Sequence, residues 1–495
     1  MRTSGVLMPL TSLSSPYGIG TVGAAARTFA DFLHSGGQSY WQILPVCPTS
    51  FGDSPYQSFS TFAGNPYLID LDDLAEEGLL EPEEYRDLDW GDDPLRADYG
   101  RLYETRYPVL RRACARLLAK GPEEFRRFCE KNAFWLEDYA LFMALKDENG
   151  GRPWWEWPDG LRFREGGALA DAARRLEEGA AFWRGVQYLF FHQWRAFKRY
   201  ANDQGVSIVG DLPIYVALDS VDVWAKPELF QLDGTLSPTE VAGCPPDGFS
   251  ADGQLWGNPL FDWEAMERDG FSWWASRIAH QLDTYDLLRI DHFRGFDSYY
   301  AIPYGETTAR NGRWRQGPGL RFFEAVKEKL GELPVIAEDL GFLTDSVRKL
   351  LRDSGFPGMK VLQFAFDSRE ESDYLPHNYT KNCVVYVGTH DNDTALGWYE
   401  SANPGDRAFA REYLRLSDQE GCGWGLMRGA WSSVADLAVV TAQDLLDLGS
   451  EGRMNIPSTV GENWKWRAPP GAFTPELADR LRRQTKLYGR LGKQG

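Results

Sequence analysis

The chain has 495 residues, which at about 150 residues per domain allows roughly three domains or one large barrel, and excludes a short disulfide-stapled scaffold. Hydrophobic residues make up 43% and charged residues 25%, a balance that supports a buried core and excludes wholesale disorder. The 53 Lys and Arg residues against 72 Asp and Glu residues give a net charge of −19, which argues against nucleic acid or an anionic membrane surface as a partner.

Short strand-like runs alternate with amphipathic helical stretches along the chain. Helices are predicted at residues 24–33, 182–200 and 474–487. Strands are predicted at residues 40–46, 206–216, 287–293, 335–340, 359–366, 383–387 and, as a weaker pattern, 454–459. This alternation is typical of βα units around a parallel sheet, so the predicted fold class is α/β.

The domain organisation is predicted to be a single unit over residues 1–495 with two insertions. Residues 73–180 are rich in Glu, Arg, Leu and Ala with helical spacing, and no flexible linker flanks them, so they are expected to form a helical insertion. A second insertion is expected at residues 217–286. It contains the stretch 242–261, whose turn residues and Trp256 predict a long irregular lid or binding loop.

Several common site types are disfavoured. The six cysteines are scattered without a Cys-x-x-Cys pair, and no signal segment or membrane span is seen, so a cytoplasmic protein is expected. Residues 18–23 match Gly-x-Gly-x-x-Gly, but no strand leads directly into them and no acidic residue lies about 20 positions beyond. A turn and helix entry is therefore expected there instead of a nucleotide site. The six histidines form no metal motif, and no metal or cofactor is expected.

Three apolar segments end in carboxylates, at Asp291, at Glu338 with its neighbour Asp339, and at Asp391 with Asp393 close by. In a parallel barrel the carboxyl ends of the strands converge, so these groups are expected to meet in one pocket. Alternation places Arg289 on the same strand face as Asp291, where its charge is expected to lower the pKa of the carboxylate. One such segment alone is equally well an ion pair or a strand cap. Three together favour glycoside chemistry, which needs a nucleophile, a proton donor and charge stabilisation.

The three segments, RIDHFRGF, AEDLG and GTHDND, resemble the catalytic strand ends of the 4-α-glucanotransferases called amylomaltase or disproportionating enzyme, a branch of the α-amylase clan. Five further segments resemble that family in the same order, namely GVLMPLTSLSSPYGIGTVG, SPYQSFSTFAGNPYLIDL, VGDLPIYV, GQLWGNPLF and NWKWR. The resemblance implies a (β/α)8 TIM barrel with helical and loop insertions and no C-terminal β-sandwich domain. The chain differs from the family at Ser458, where a glycine is usual.

The resemblance also implies residue roles. Asp291 would be the nucleophile, Glu338 the general acid and then base, and Asp391 the stabiliser of the transition state. Substrate-binding positions are implied for Arg289, His390, Tyr56, Asp211, Trp256 and Asn463. For this mechanism the pKa of Glu338 is expected to be raised and that of Asp291 depressed.

The implied reaction is α-retaining transfer of a segment of an α-1,4-glucan to the 4-hydroxyl of another glucan. Malto-oligosaccharides and glucans derived from starch or glycogen are the expected substrates, with glucose as a possible acceptor; the oligomeric state is left open. One alternative is an α-amylase-type hydrolase, although the third segment reads Thr-His-Asp-Asn instead of the hydrolases' usual Asn-His-Asp. A non-catalytic glucan-binding barrel is the other alternative, because fold alone does not fix function.

Overall fold

The computed structural model describes residues 2–246, 250–341 and 343–492. Its strands are β1 Thr3–Leu7, β2 Tyr40–Gln42, β3 Ser207–Pro213, β4 Glu240–Cys244, β5 Gln254–Pro259, β6 Leu287–Asp291, β7 Ser298–Pro303, β8 Arg313–Gln316, β9 Val335–Ala337, β10 Gly358–Val361, β11 Cys383–Tyr386 and β12 Leu437–Thr441. Its helices are α1 Ala24–Ser35, α2 Leu71–Glu76, α3 Tyr99–Lys120, α4 Glu123–Glu148, α5 Asp159–Arg162, α6 Gly166–Arg175, α7 Glu177–Asp203, α8 Val221–Ala225, α9 Trp263–Arg268, α10 Ser272–Thr284, α11 Leu320–Leu330, α12 Asp345–Ser354, α13 Ala395–Ser401, α14 Pro404–Leu414, α15 Cys422–Ser432, α16 Ala442–Leu445 and α17 Pro475–Leu487. None of these helices has the length and apolar content needed to cross a membrane.

The central element is a sheet of eight strands in the order β10–β11–β12–β1–β2–β3–β6–β9, and every neighbouring pair in it is parallel. The two ends of this sheet meet, because the backbone N–H of Ala337 in β9 donates to the carbonyl of Pro357, just before β10, at 2.9 Å. Helices follow the strands and cover the outside. The predicted (β/α)8 barrel is confirmed.

The barrel interior is apolar at one end and polar at the other. Nine inward side chains form a buried cluster of their own, Leu7, Val209, Ile336, Met359, Val361, Val384, Tyr386, Leu437 and Val439. Because successive side chains of a strand point to opposite faces, Leu287, Arg289 and Asp291 of β6 all face inward. Leu287 packs on the apolar cluster, so Arg289 and Asp291 lie progressively closer to the carboxyl end of the barrel.

Long helices fill the segment between β2 and β3. Helices α3 and α4 pack against α7, which includes the whole predicted helix 182–200. Helix α1 contains the predicted 24–33 and begins after Gly23, where a Cβ atom would lie 2.1 Å from the Asp70 carboxylate. An acidic side chain therefore abuts the helix start that follows the Gly-x-Gly-x-x-Gly pattern, where a bound phosphate would be repelled.

A second sheet, of four antiparallel strands in the order β5–β4–β7–β8, lies over the carboxyl end of β6. Strands β4 and β5 belong to the segment 242–261, so the prediction of an irregular loop there is wrong for both ends of that segment; residues 247–249 lie outside the described residues. The physical reason is a distant partner. Val241 of β4 pairs with Ile302 of β7, about sixty residues away, which no local pattern reveals.

One further strand prediction is wrong, and two strands of the barrel were not predicted. The weak strand predicted at 454–459 is wrong, since that segment is a turn in which Ser458 has a left-handed φ of 65°. Strand β12 was not predicted, because a buried run of five residues has no helix or strand period. Strand β1 was not predicted either, because it contains Gly5. That glycine is needed, since a Cβ atom there would lie 2.6 Å from the carbonyl oxygen of Tyr40.

Candidate active site

The carboxyl ends of β3, β6 and β9 bring the candidate residues together. Ile290 of β6 pairs with Ala337 of β9, so Asp291 and Glu338 occupy the next positions on adjacent strands. Adjacent strands lie about 4.8 Å apart, which places the two carboxylates side by side at one edge of the barrel. Asp211 pairs with Arg289 across β3 and β6. Four of the nine predicted site residues are thus positioned by strand register alone.

Arg289 is the centre of a buried ion-pair array. Its Nη1 atom lies 2.7 Å from both carboxylate oxygens of Asp211, and its Nη2 atom lies 3.0 Å from Oδ1 of Asp291. The hydroxyl of Tyr56 donates to the second Asp211 oxygen at 2.7 Å. The side chain of Arg289 is 3% exposed, whereas that of Asp291 keeps 29% of its surface exposed, so a substrate can reach the carboxylate. The expected contact between Arg289 and Asp291 is present.

Glu338 is held by two backbone donors. The N–H of His292 donates to Oε2 at 2.6 Å, and the N–H of Leu340 donates to Oε1 at 2.8 Å. His292 has a left-handed backbone with φ of 54°, an uncommon conformation for a residue other than glycine. This local strain turns the chain sharply after Asp291 and aims the His292 N–H at Glu338, so it positions the two carboxylates relative to one another.

The carboxyl groups of Asp291 and Glu338 differ in pKa. Burial raises the pKa of Glu338 to about 8, and the nearby charge of Asp291 adds to the effect. Burial also raises the pKa of Asp291 to about 6, so the prediction of a depressed value is wrong. The charge of Arg289 lowers that pKa only in part, because the same guanidinium also pairs with Asp211. Between pH 6 and pH 8 the pair therefore holds an ionised Asp291 beside a protonated Glu338.

Asp391 approaches the same pocket from the loop after β11. The Nε2 atom of His390 lies 3.5 Å from Oδ1 of Asp391, and the side-chain amide of Asn455 donates to that oxygen at 2.6 Å. The guanidinium of Arg453 donates to the Asp391 carbonyl at 3.0 Å and to the Asn455 carbonyl at 2.8 Å. Arg453 and Asn455 thus fix the third carboxylate.

Aromatic rings form the walls of the pocket. Tyr56 stacks on His390, with ring centroids 5.2 Å apart and planes 16° apart, and Trp464 packs beside both. Just after the carboxyl end of β6, the ring of His292 is met edge-on by Trp256 of β5, with the ring centroids 4.8 Å apart. Flat rings of this kind present apolar faces with polar edges, which suits the faces of sugar rings.

The side chain of Asn463, which was predicted to bind substrate, is engaged in hydrogen bonds with a neighbouring turn. Its amide oxygen accepts from the backbone N–H of Ile456 at 3.0 Å, and its nitrogen donates to the carbonyl of Thr459 at 2.9 Å. The side chain therefore braces the turn that follows Asn455. It reaches the carboxylates through that turn and not by direct contact.

Sequence reasoning did not find His292, Arg453 and Asn455. His292 directly follows Asp291, but its backbone angle cannot be read from the sequence. Arg453 and Asn455 lie in or beside the segment taken for a strand, and their contacts with Asp391 span more than sixty residues. Among the described residues, no group of three or more His, Cys, Asp or Glu side chains is placed to hold a metal ion.

Comparisons with known proteins agree with this geometry. A family model described as 4-alpha-glucanotransferase matches residues 8–473. A 4-alpha-glucanotransferase of Thermus thermophilus is 51% identical over 99% of both chains, and one of Clostridium butyricum is 49% identical over 98% of this chain and 100% of its own. The solved amylomaltase of Streptococcus agalactiae, in complex with acarbose, is 44% identical with a TM-score of 0.97, covering 99% of this chain and 100% of that chain.

Proposed function

The chain belongs to the 4-alpha-glucanotransferase family, and from this premise we propose how its residues carry out the reaction. It is an enzyme that transfers segments of α-glucans between chains. The observation that carries the assignment of roles is the pair of neighbouring carboxylates, Asp291 and Glu338, with raised but unequal pKa values. A double displacement with retention needs one ionised and one protonated carboxyl group on either side of the scissile bond.

In the first step the Asp291 carboxylate attacks the anomeric carbon of the donor glucan. The bond from that carbon to the glycosidic oxygen breaks, and Glu338 transfers its proton to this oxygen, so the leaving segment departs with a free 4-hydroxyl. The product of this step is a glucosyl ester of Asp291. Arg289 helps Asp291 to remain ionised before the attack, and it accepts part of the restored charge when the ester later breaks.

In the second step the ionised Glu338 takes the proton from the 4-hydroxyl of an acceptor glucan. The acceptor oxygen attacks the anomeric carbon, the ester bond to Asp291 breaks, and the new α-1,4 bond replaces the old one. Asp391, held by Asn455, would stabilise the positive charge that develops on the sugar in both steps. His390 and Tyr56 would hold the sugar that is attacked, with Asp211 orienting the Tyr56 hydroxyl.

We propose that the β4–β5 hairpin favours a sugar acceptor over water. Trp256 extends from β5 to the ring of His292, on the side of the pocket where Glu338 lies. An aromatic face at this point would stack on the incoming glucan and displace water from the ester. Malto-oligosaccharides and glucans from starch or glycogen would serve as donors, and glucose would serve as the smallest acceptor.

Incubation with maltotriose tests the proposed function. Glucose together with maltopentaose and longer products, at a constant number of reducing ends, is the result expected for transfer. Rising reducing ends without longer products would mean that water is the acceptor, which would support an α-amylase-type hydrolase. The matched control is Asp291→Asn, which keeps the size of the side chain but removes the nucleophile; full activity in this variant would overturn the assignment of Asp291.

We also propose a domain organisation and a cellular location for the chain. Helices α3 to α6 lie between β2 and β3, and strands β4 and β5 lie between β3 and β6, which supports the insertions at residues 73–180 and 217–286 within one unit over residues 1–495. The scattered cysteines support a reducing compartment such as the cytoplasm. Immunodetection of the protein in fractionated cells would test the location.

A further inference from the structure

Trp314 is a large aromatic side chain left exposed beside the active site. It lies in β8, the edge strand of the four-stranded sheet, with 43% of its surface exposed. Its ring is fixed by two neighbours. The guanidinium of Arg294 lies 3.9 Å from the centre of the indole, and the ring of Tyr300 meets it edge-on at 5.2 Å. The indole is thus held in place without being buried.

Trp314 is tied to the strand end that carries the nucleophile. Arg294 belongs to the short 3-10 helix Phe293–Phe296, which follows Asp291 after one residue. Two backbone hydrogen bonds of 2.7 Å fasten the segment after β8 to this turn, from Gly317 N–H to the carbonyl of Asp297 and from Gly319 N–H to that of Phe296. A shift of β8 would therefore disturb the turn at the active site, so the position of Trp314 relative to the pocket is set by the fold.

Trp314 lies on the same side of the pocket as Glu338. His292 and Arg294 belong to one turn, the N–H of His292 donates to Glu338, and Trp256 packs against the His292 ring. The general acid protonates the oxygen of the leaving chain and later activates the hydroxyl of the acceptor. The leaving chain and the acceptor chain therefore extend from the scissile bond toward this part of the surface.

The arginines around Trp314 already have partners within the protein. The two flanking side chains, Arg313 and Arg315, both pair with the buried Glu240, at 2.9 and 2.5 Å. Arg294 is already engaged with the indole face and with the hydroxyl of Ser298. The three guanidiniums around the indole are thus all engaged, two by the single Glu240 carboxylate and one by the indole face and Ser298, and the accessible part of the patch is an aromatic surface with hydrogen-bonding edges. This combination suits the apolar face of a glucose ring better than it suits a phosphate or a carboxylate.

We propose that Trp314 forms a distal stacking site for long α-1,4-glucan chains, on the acceptor side of the pocket and outside the contacts made at the scissile bond. This inference rests on the proposed function of the pocket. Arg294 covers one face of the indole and a glucose ring of the acceptor or leaving chain packs on the rest. Short substrates end before they reach it, so Trp314 makes the enzyme prefer longer chains.

Chain-length dependence of the kinetics tests this site. Disproportionation of maltotriose and of maltoheptaose is measured for the parent, for Trp314→Ala and for Trp314→Phe, which retains a smaller aromatic face. The matched control is Tyr304→Ala, which removes another exposed aromatic side chain, 52% exposed, just after β7 of the same sheet. Thermal unfolding of each variant shows whether the fold is retained.

We expect Trp314→Ala to raise KM for maltoheptaose about 2- to 10-fold, as for the loss of one aromatic contact, with kcat and the KM for maltotriose unchanged. Trp314→Phe should retain most of the affinity for maltoheptaose. Tyr304→Ala should leave KM and kcat unchanged for both substrates. Equal effects on both substrates would show that Trp314 acts by holding Arg294, and no effect on either would show that it only covers the sheet edge. Either result overturns the inference. A parent that does not convert maltotriose would instead refute the proposed function.

Discussion

Replacing Glu338 by glutamine tests the protonation state of the proposed general acid through folding stability instead of activity. Burial raises the pKa of Glu338 from its ordinary value of 4.5 to about 8. At neutral pH the folded protein therefore keeps a proton that the unfolded chain releases. Because the folded state binds this proton and the unfolded chain does not, the free energy of unfolding decreases as pH rises from about 4.5 to about 8. Glutamine does not titrate, so the variant avoids this loss.

The size of the effect follows from the two pKa values. The uptake of the proton on folding costs roughly 3 kcal/mol at pH 7 and about 1 kcal/mol at pH 5. Glutamine also has a constant disadvantage, since its NH2 group cannot accept one of the two backbone hydrogen bonds from His292 and Leu340. That disadvantage does not depend on pH and cancels between the two conditions. Relative to the parent, Glu338→Gln should thus gain about 2 kcal/mol from pH 5 to pH 7.

Urea unfolding of the parent and of Glu338→Gln at pH 5 and pH 7 measures this difference. The control is Glu324→Gln, the same substitution at an exposed position on α11. A stability difference between Glu338→Gln and the parent that is the same at both pH values would refute the reasoning. It would mean that Glu338 is ionised in the folded protein at pH 7, and that the assignment of the general acid lacks its electrostatic basis.

Three further outcomes follow from the site. The pH profile of kcat/KM on maltotriose should rise through about pH 6 as Asp291 ionises and fall above about pH 8 as Glu338 loses its proton; a flat profile over this range would contradict both values. Asn455→Ala should lower kcat/KM about 10- to 100-fold, because it removes a short hydrogen bond to the carboxylate of Asp391, and a loss below threefold would exclude this positioning role. Ser458→Gly should stabilise the protein against urea by about 1 kcal/mol, because glycine adopts a φ of 65° without strain, and a lower urea midpoint would contradict that reading.

Six of the eight barrel strands were predictable because they carry their own signal, whereas β1 and β12 were not predicted and the closed barrel itself was implied by the family resemblance. Residues 287–291 and 383–386 are short apolar runs followed by polar clusters, and such runs between amphipathic helices favour a parallel sheet whatever the rest of the chain does. The antiparallel sheet was not predictable in this way. Strand β4 has turn residues on its carboxyl side and depends on β7 for its partner, so its conformation is decided by contacts far apart in the sequence.

In the candidate site, too, some features could be predicted from the sequence and others depend on contacts in three dimensions. The three carboxylate-bearing segments could be found because strand ends in a barrel converge, and the family resemblance then selected Glu338 over Asp339 and Asp391 over Asp393. The pKa of Asp291 could not be found from its neighbour Arg289 alone. Its value depends on how many carboxylates share one guanidinium and on how much water reaches them, and both quantities exist only in three dimensions.

The shared guanidinium also explains how one site holds two carboxylates at different protonation. If Arg289 paired with Asp291 alone, the full positive charge would stabilise the Asp291 anion and weaken it as a nucleophile. Because both carboxylate oxygens of Asp211 accept hydrogen bonds from the same guanidinium, Arg289 stabilises the Asp291 anion only modestly while leaving it ionised. Glu338 receives two backbone N–H groups and is more deeply buried than Asp291, and its proton is therefore retained to higher pH. The difference in pKa between the proposed nucleophile, Asp291, and the proposed acid, Glu338, thus depends on Asp211, a residue that does not need to touch the reacting atoms.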